Sequence, residues 1–90
     1  MTQVMERASA GMLRAVNAML AMSTIPAGRR VTSGLYLLVV CCNVPGALAA
    51  RAYGCSKQNV SKALRAVEDR RDDPQYDAEL ARLEAMLTQD

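Results

Sequence analysis

Lys57, Gln58, Ser61, Lys62 and Arg65 combine cationic, amide and hydroxyl groups at offsets of one, three and four residues. At 3.6 residues per turn, those offsets put all five on one side of a helix. The ammonium and guanidinium groups donate to oxyanions, while the Gln58 amide and Ser61 hydroxyl can both donate and accept. Such a set suits the edges of bases and the oxygens of phosphates. Ser56, immediately upstream, is a preferred helix N-cap, and a helix beginning there turns free amides toward an anion. The expectation is that Lys57, Gln58, Ser61 and Lys62 meet base edges, whereas Ser56 and Arg65 meet phosphates.

Other chemistries have less to build on. The chain has no His, so imidazole metal sites, His-based acid–base work and Cys–His or Ser–His pairs are excluded. Cys41, Cys42 and Cys55 form no C-x-x-C spacing and read as reduced thiols packed like small hydrophobes. The Asp72, Asp73 and Asp77 group reads as a solvated charge run, and no apolar pocket segment stands ready to raise a carboxyl pKa. The expectation is a non-enzyme with no catalytic residues, no metal and no cofactor.

Net charge is only +2, but the charges are segregated. Arg7, Arg14, Arg29, Arg30, Arg51, Lys57, Lys62 and Arg65 run through the first two thirds with no acid among them. From Glu68 onward stand eight acids against Arg70, Arg71 and Arg82. A polyanion facing the basic part would account for this division, and the acids begin only where the polar stripe ends.

Ninety residues make one domain, 1–90. An Ala- and Met-rich chain with no Phe or Trp favours an all-α bundle of about five helices. Met5, Ala8, Met12, Val16 and Met19 predict an amphipathic helix over 2–22, its methionines forming core or a dimer surface. Pro26 and Gly28 then mark a loop. A second helix is expected from a cap at Thr32 or Ser33 through Cys42, although its unbroken Leu and Val run also fits a buried strand. Pro45 suits the first turn of a short third helix, which Gly54 stops. A fourth should run from Ser56 to about Arg71, ending before Pro74, and a last one spans about 75–88.

Within the 32–71 core, the short helix, glycine turn and longer helix follow one another directly. Ala50, four residues before Gly54, must be small where the second helix crosses, while Cys55, Val60, Ala63 and Leu64 turn inward. The segment resembles the helix-turn-helix of phage Cro-type and repressor-type regulators, with Ala50, Gly54, Val60 and the Ser61-Lys62-Ala63-Leu64 ending in place. Extended through Val39-Val40 and Pro45, it is similar to plasmid repressors of the KorA/TrfB type, in which a Pro opens the first helix. The likeness covers less than half of the chain. It implies a transcriptional repressor, bound as a homodimer to a double-stranded DNA operator, with Lys57, Gln58, Ser61 and Lys62 at base-reading positions; a cytoplasmic location is the expectation from the unpatterned thiols and the short apolar runs. Gly46 and Ala47 depart from it, since a Gln or Thr often touches phosphate there. Arg51 and the pair Arg29-Arg30 are the candidates to supply that contact.

Tyr76, Leu80, Leu83 and Leu87 recur at four, three and four, a stripe expected to face a twin subunit. The longest apolar run, Leu35 to Cys42, is far short of a membrane span, so no membrane partner is expected. A different class of function also fits: an antirepressor-like module that holds a second regulatory protein, using the long Met-rich first helix.

Overall fold

Good helix formers dominate the chain, and the computed structural model, which describes residues 2–88 and side chains from residue 11 onward, is all-α. Side chains of Met5, Arg7 and Ala8 therefore lie outside the described residues. Helix α1 spans Thr2–Ala21, and a short 3-10 turn at Ala27–Arg29 leads into α2, Arg30–Tyr36. Helix α3 is Gly46–Tyr53, α4 is Lys57–Arg70 and α5 is Pro74–Thr88. The five make a small bundle, and no strand occurs among the described residues.

Helix α2 lies at the centre, against α1, α3 and above all α4. Ser33 through Leu38 are six consecutive buried residues, which explains why the sequence there shows no helical period: a segment enclosed on every side has no polar face. The strand alternative is thereby excluded. The helix begins at Arg30, before the expected caps. Thr32 and Ser33 fall inside it, and Ser33 is spent on a buried hydrogen bond, its Oγ 2.7 Å from the Tyr76 hydroxyl. The last turn, Leu37–Cys41, is wide, with the Cys42 amide reaching the Leu37 carbonyl at 3.1 Å. It ends at Asn43, whose φ of 55° is a left-handed conformation that Asn tolerates.

Pro45 stands one residue outside α3, its carbonyl accepting from the amides of Leu48 and Ala49. Pro74 opens α5 rather than merely preceding it, because its missing N–H has no partner to lose in a first turn.

The stripe on α5 is used differently from the expectation. Tyr76, Leu80 and Leu83 are buried in the same core as Val16, Leu20, Leu38 and Val67, and Leu87 packs partly against it. They face their own subunit's core instead of standing outward for a twin. Arg71, just past the end of α4, makes polar contacts consistent with that orientation. Its guanidinium bonds Asp77 through Nε, Glu84 at 2.9 Å through Nη2 and the Tyr36 hydroxyl at 3.0 Å through Nη1. These contacts tie the end of α4 to α5 in the orientation that the burial of Tyr76, Leu80 and Leu83 sets.

Gly34 allows a further close approach. A Cβ there would overlap the phenol of Tyr53, its Cζ only 2.9 Å away, and would press on Leu20. Tyr53 in turn donates to Asn17 Oδ1 at 3.1 Å, tying α3 to α1. Burial pushes this phenol up to about 12, so it stays a donor.

Candidate nucleic-acid interface

Three residues, Gly54, Cys55 and Ser56, join α3 to α4. Gly54 has φ 67°, which a side chain would strain, and so closes α3. The Cys55 amide reaches the Ala50 carbonyl at 2.8 Å and the Gly54 amide reaches Arg51 at 3.2 Å, the two bonds that finish a glycine-capped helix. Ser56 then starts α4, its Oγ accepting from the Asn59 amide at 3.2 Å. Ala49, Ala50, Val60, Ala63 and Val67 are buried where the neighbouring helices meet. Cys55 and Leu64 are half-buried at the same contact.

The inward set fixes what faces out. Lys57, Gln58, Ser61, Lys62 and Arg65 are all exposed on the opposite side of α4. None has a hydrogen bond or ion pair among the described residues. Their Cα atoms span about 12 Å along the axis, close to the width of a DNA major groove. Beyond Arg65 the same side continues as Glu68 and Asp69, both exposed, so the cationic part of that side is confined to the first nine residues of the helix, 57–65.

Asn59 belongs with this group and was missed. It is exposed, and with Lys62 it rims a shallow apolar cleft of about 350 Å³ between α2 and α4, floored by Leu35 and Ala63. Its spacing of three from Lys62 was visible in the sequence. Its place on the shoulder of the helix, rather than on the central stripe, became plain only once α2 was positioned beside it.

The phosphate candidates separate. Arg65 lies on the stripe, and Arg51 is exposed on α3. Arg29 is elsewhere: it lines a cleft with Asp73, Gln75 and Glu79 at the far end of α4, roughly 20 Å from Lys57 along the helix. Arg30, adjoining it, is half-buried, with its Nε shut off from solvent. The structure thus does not bring the Arg29-Arg30 pair to the stripe, because α2 starts beside the acidic turn between α4 and α5. Ser56 is exposed, and its side chain is already engaged as the cap. Any contribution to an anion would come from the free amides of Lys57 and Gln58.

Most acids of the last helix are occupied internally. Asp77 and Glu84 hold Arg71. Glu79 binds Arg82 and accepts from the Thr24 amide at 2.8 Å, and these partners hold its carboxyl down at about 2. Asp73 accepts from the Gln75 amide at 3.0 Å. The Cys41 thiol sits 3.7 Å from Glu84, and burial together with that carboxylate pushes it up to about 11, so it stays protonated. Among the described residues no group of three or more His, Cys, Asp or Glu could hold a metal ion, and no helix is long and apolar enough to cross a membrane. Comparison with protein-family models, with curated proteins and with solved structures finds no match to this chain.

Proposed function

We propose that the protein is a sequence-specific double-stranded DNA-binding transcriptional regulator, a repressor that occupies its operator with α4 in the major groove. The carrying observation is the unpaired, exposed row Lys57, Gln58, Ser61, Lys62 and Arg65 on a helix braced from behind by the Gly54 turn. Side chains that neighbours do not hold remain free for a ligand, and these have the donors and acceptors that base edges require. Glu68 and Asp69 dictate how the helix would lie. Their carboxylates would meet phosphates if α4 lay flat along the groove, so α4 enters by its N-terminal end and the acidic end tilts away. Gln58 and Asn59 are suited to adenine, which amide side chains contact through N6 and N7. Lys57 and Lys62 are suited to guanine, and Arg65 and Arg51 to the backbone.

Selection from random duplexes followed by gel shift at low salt tests this. A recovered consensus is the expected result, and Gln58→Ala should relax preference at one base pair by about 1–3 kcal/mol while leaving thermal stability unchanged. No shift on any duplex at low salt, with recovery of a stable complex with another protein, would reject DNA reading in favour of a protein-binding module.

A further inference from the structure

We infer that the shallow cleft between α2 and α4 seats one sugar–phosphate strand of the duplex, which makes α2 a second element of the nucleic-acid interface. The inference rests on α4 reading the major groove and deepens that reading by assigning the strand beside it.

A helix with its side chains is about 10–12 Å across, and the major groove is about 12 Å wide. A helix whose polar stripe meets the base edges therefore turns its two shoulders to the backbones that wall the groove. On α4 one shoulder is taken by α3. Asn59 and Ala66 mark the other, since each follows a stripe residue, Gln58 or Arg65, by one position, a rotation of about 100°. Both line the cleft against α2, with Lys62 between them at its edge. The cleft is thus continuous with the stripe and opens where a backbone wall would run.

The lining suits a strand. Val31, on the α2 side, is 56% exposed and offers apolar surface to the carbons of a deoxyribose. Thr32 beside it is half-buried, and its hydroxyl makes no hydrogen bond among the described residues. The Asn59 side-chain amide and the Lys62 ammonium are equally unengaged there. Donors on both sides of an apolar floor match a polymer in which phosphate and sugar alternate.

Charge agrees. No carboxylate lines this cleft, and the Lys62 ammonium at its edge attracts a polyanion. Two other clefts lack the combination. Asp73 and Glu79 line the one at Arg29, while the groove between α1 and α5 has Arg82 as its cation, which Glu79 already holds. Asp69, three residues beyond Ala66, belongs to the end of α4 that tilts away, so the strand crosses near Thr32 and Lys62.

Binding titrations over a range of salt, on the selected duplex and on a random-sequence duplex, test the cleft. Val31→Lys should tighten binding to both and steepen the dependence of log affinity on log salt by about one. Val31→Glu should weaken both by at least about tenfold. Thr32→Val removes the hydroxyl at nearly constant volume and should weaken both by about 2–10-fold. Strand contacts carry no sequence information, so the consensus should stay as it is. Met22, 87% exposed between α1 and α5, corrects for net charge: Met22→Lys and Met22→Glu should move affinity far less. Melting temperatures of the Val31 and Met22 variants should match wild type, because both side chains stand in solvent. Val31 variants that bind like their Met22 counterparts, a Thr32→Val chain as tight as wild type, or an altered consensus would each overturn the inference. Wild type would still bind its duplex in those cases, leaving the reading of α4 intact. A wild-type chain that binds no duplex would remove both.

Discussion

Helices α4 and α5 are of nearly equal length, each with an apolar side turned inward and a charged side turned out, yet their charges have opposite fates. On α5 the carboxylates of Asp77, Glu79 and Glu84 each accept from a residue outside the helix, Arg71 for Asp77 and Glu84 and Thr24 for Glu79. On α4 as far as Arg65, the charged groups of Lys57, Lys62 and Arg65 are bonded to nothing among the described residues. The difference separates charge that maintains the fold from charge that the fold merely displays. A paired surface group contributes modestly to stability and is unavailable to a ligand; an unpaired one contributes almost nothing to stability and can be given up without unfolding. Substitutions on the two helices should therefore divide cleanly between stability and binding.

The largest effect should come from behind the charges of α5. Leu80 is wholly buried between α5 and the rest of the core. Leu80→Ala should cost about 2–5 kcal/mol, read as a lower urea midpoint. In a chain of 90 residues that is a large part of the total stability. If Leu80→Ala instead left stability intact and altered only self-association, α5 would be a dimer helix and the contrast would collapse.

On α4 the expected effects are smaller and of another kind. Arg65→Ala and Lys57→Ala should each leave the melting temperature in place and lower the slope of log affinity against log salt by about one. Arg29→Ala is the internal control, for it lies with Asp73 and Glu79 and should not change the slope. Equal slopes for Arg29→Ala and Arg65→Ala would mean that DNA wraps the acidic end as well, against the placement proposed for α4.

How much of this was legible beforehand follows the range of the interactions. The α3–α4 corner is local: Gly54, Ser56 and the inward residues lie within about four turns of one another, and its form could be read from their types and spacing. Exposure of the five polar side chains followed from which residues turned inward. The side taken by α5 could not be read in that way. Tyr76 meets Ser33 across 43 residues and Glu79 meets Thr24 across 55, so a 4-3-4 stripe seen alone cannot tell its own core from a twin's. Gly34 was silent for the same reason, since its need for a missing side chain is set by Tyr53 arriving from another helix. Arg29 and Arg30 were assigned to DNA by charge alone, and charge does not say at which end of α4 a residue will emerge.

The finest test of the contrast is acid titration of Glu79. Its carboxyl is held near 2, first by Arg82 and then by the Thr24 amide, against an ordinary value of 4.5. Because the folded value is the lower one, its contribution to stability is fully present above about 4.5 and is lost as the pH falls from there toward 2. Glu79→Gln keeps an acceptor for Thr24 but has no proton to take up in this window. The variant should be slightly less stable than wild type at neutral pH, and the gap should narrow progressively below pH 4.5. Urea midpoints at pH 6 and pH 3 for both proteins measure the change. A gap that stays constant across that interval would mean that the Glu79 contacts with Arg82 and Thr24 are not held in solution, and α5 would then carry displayed charge of the same kind as α4.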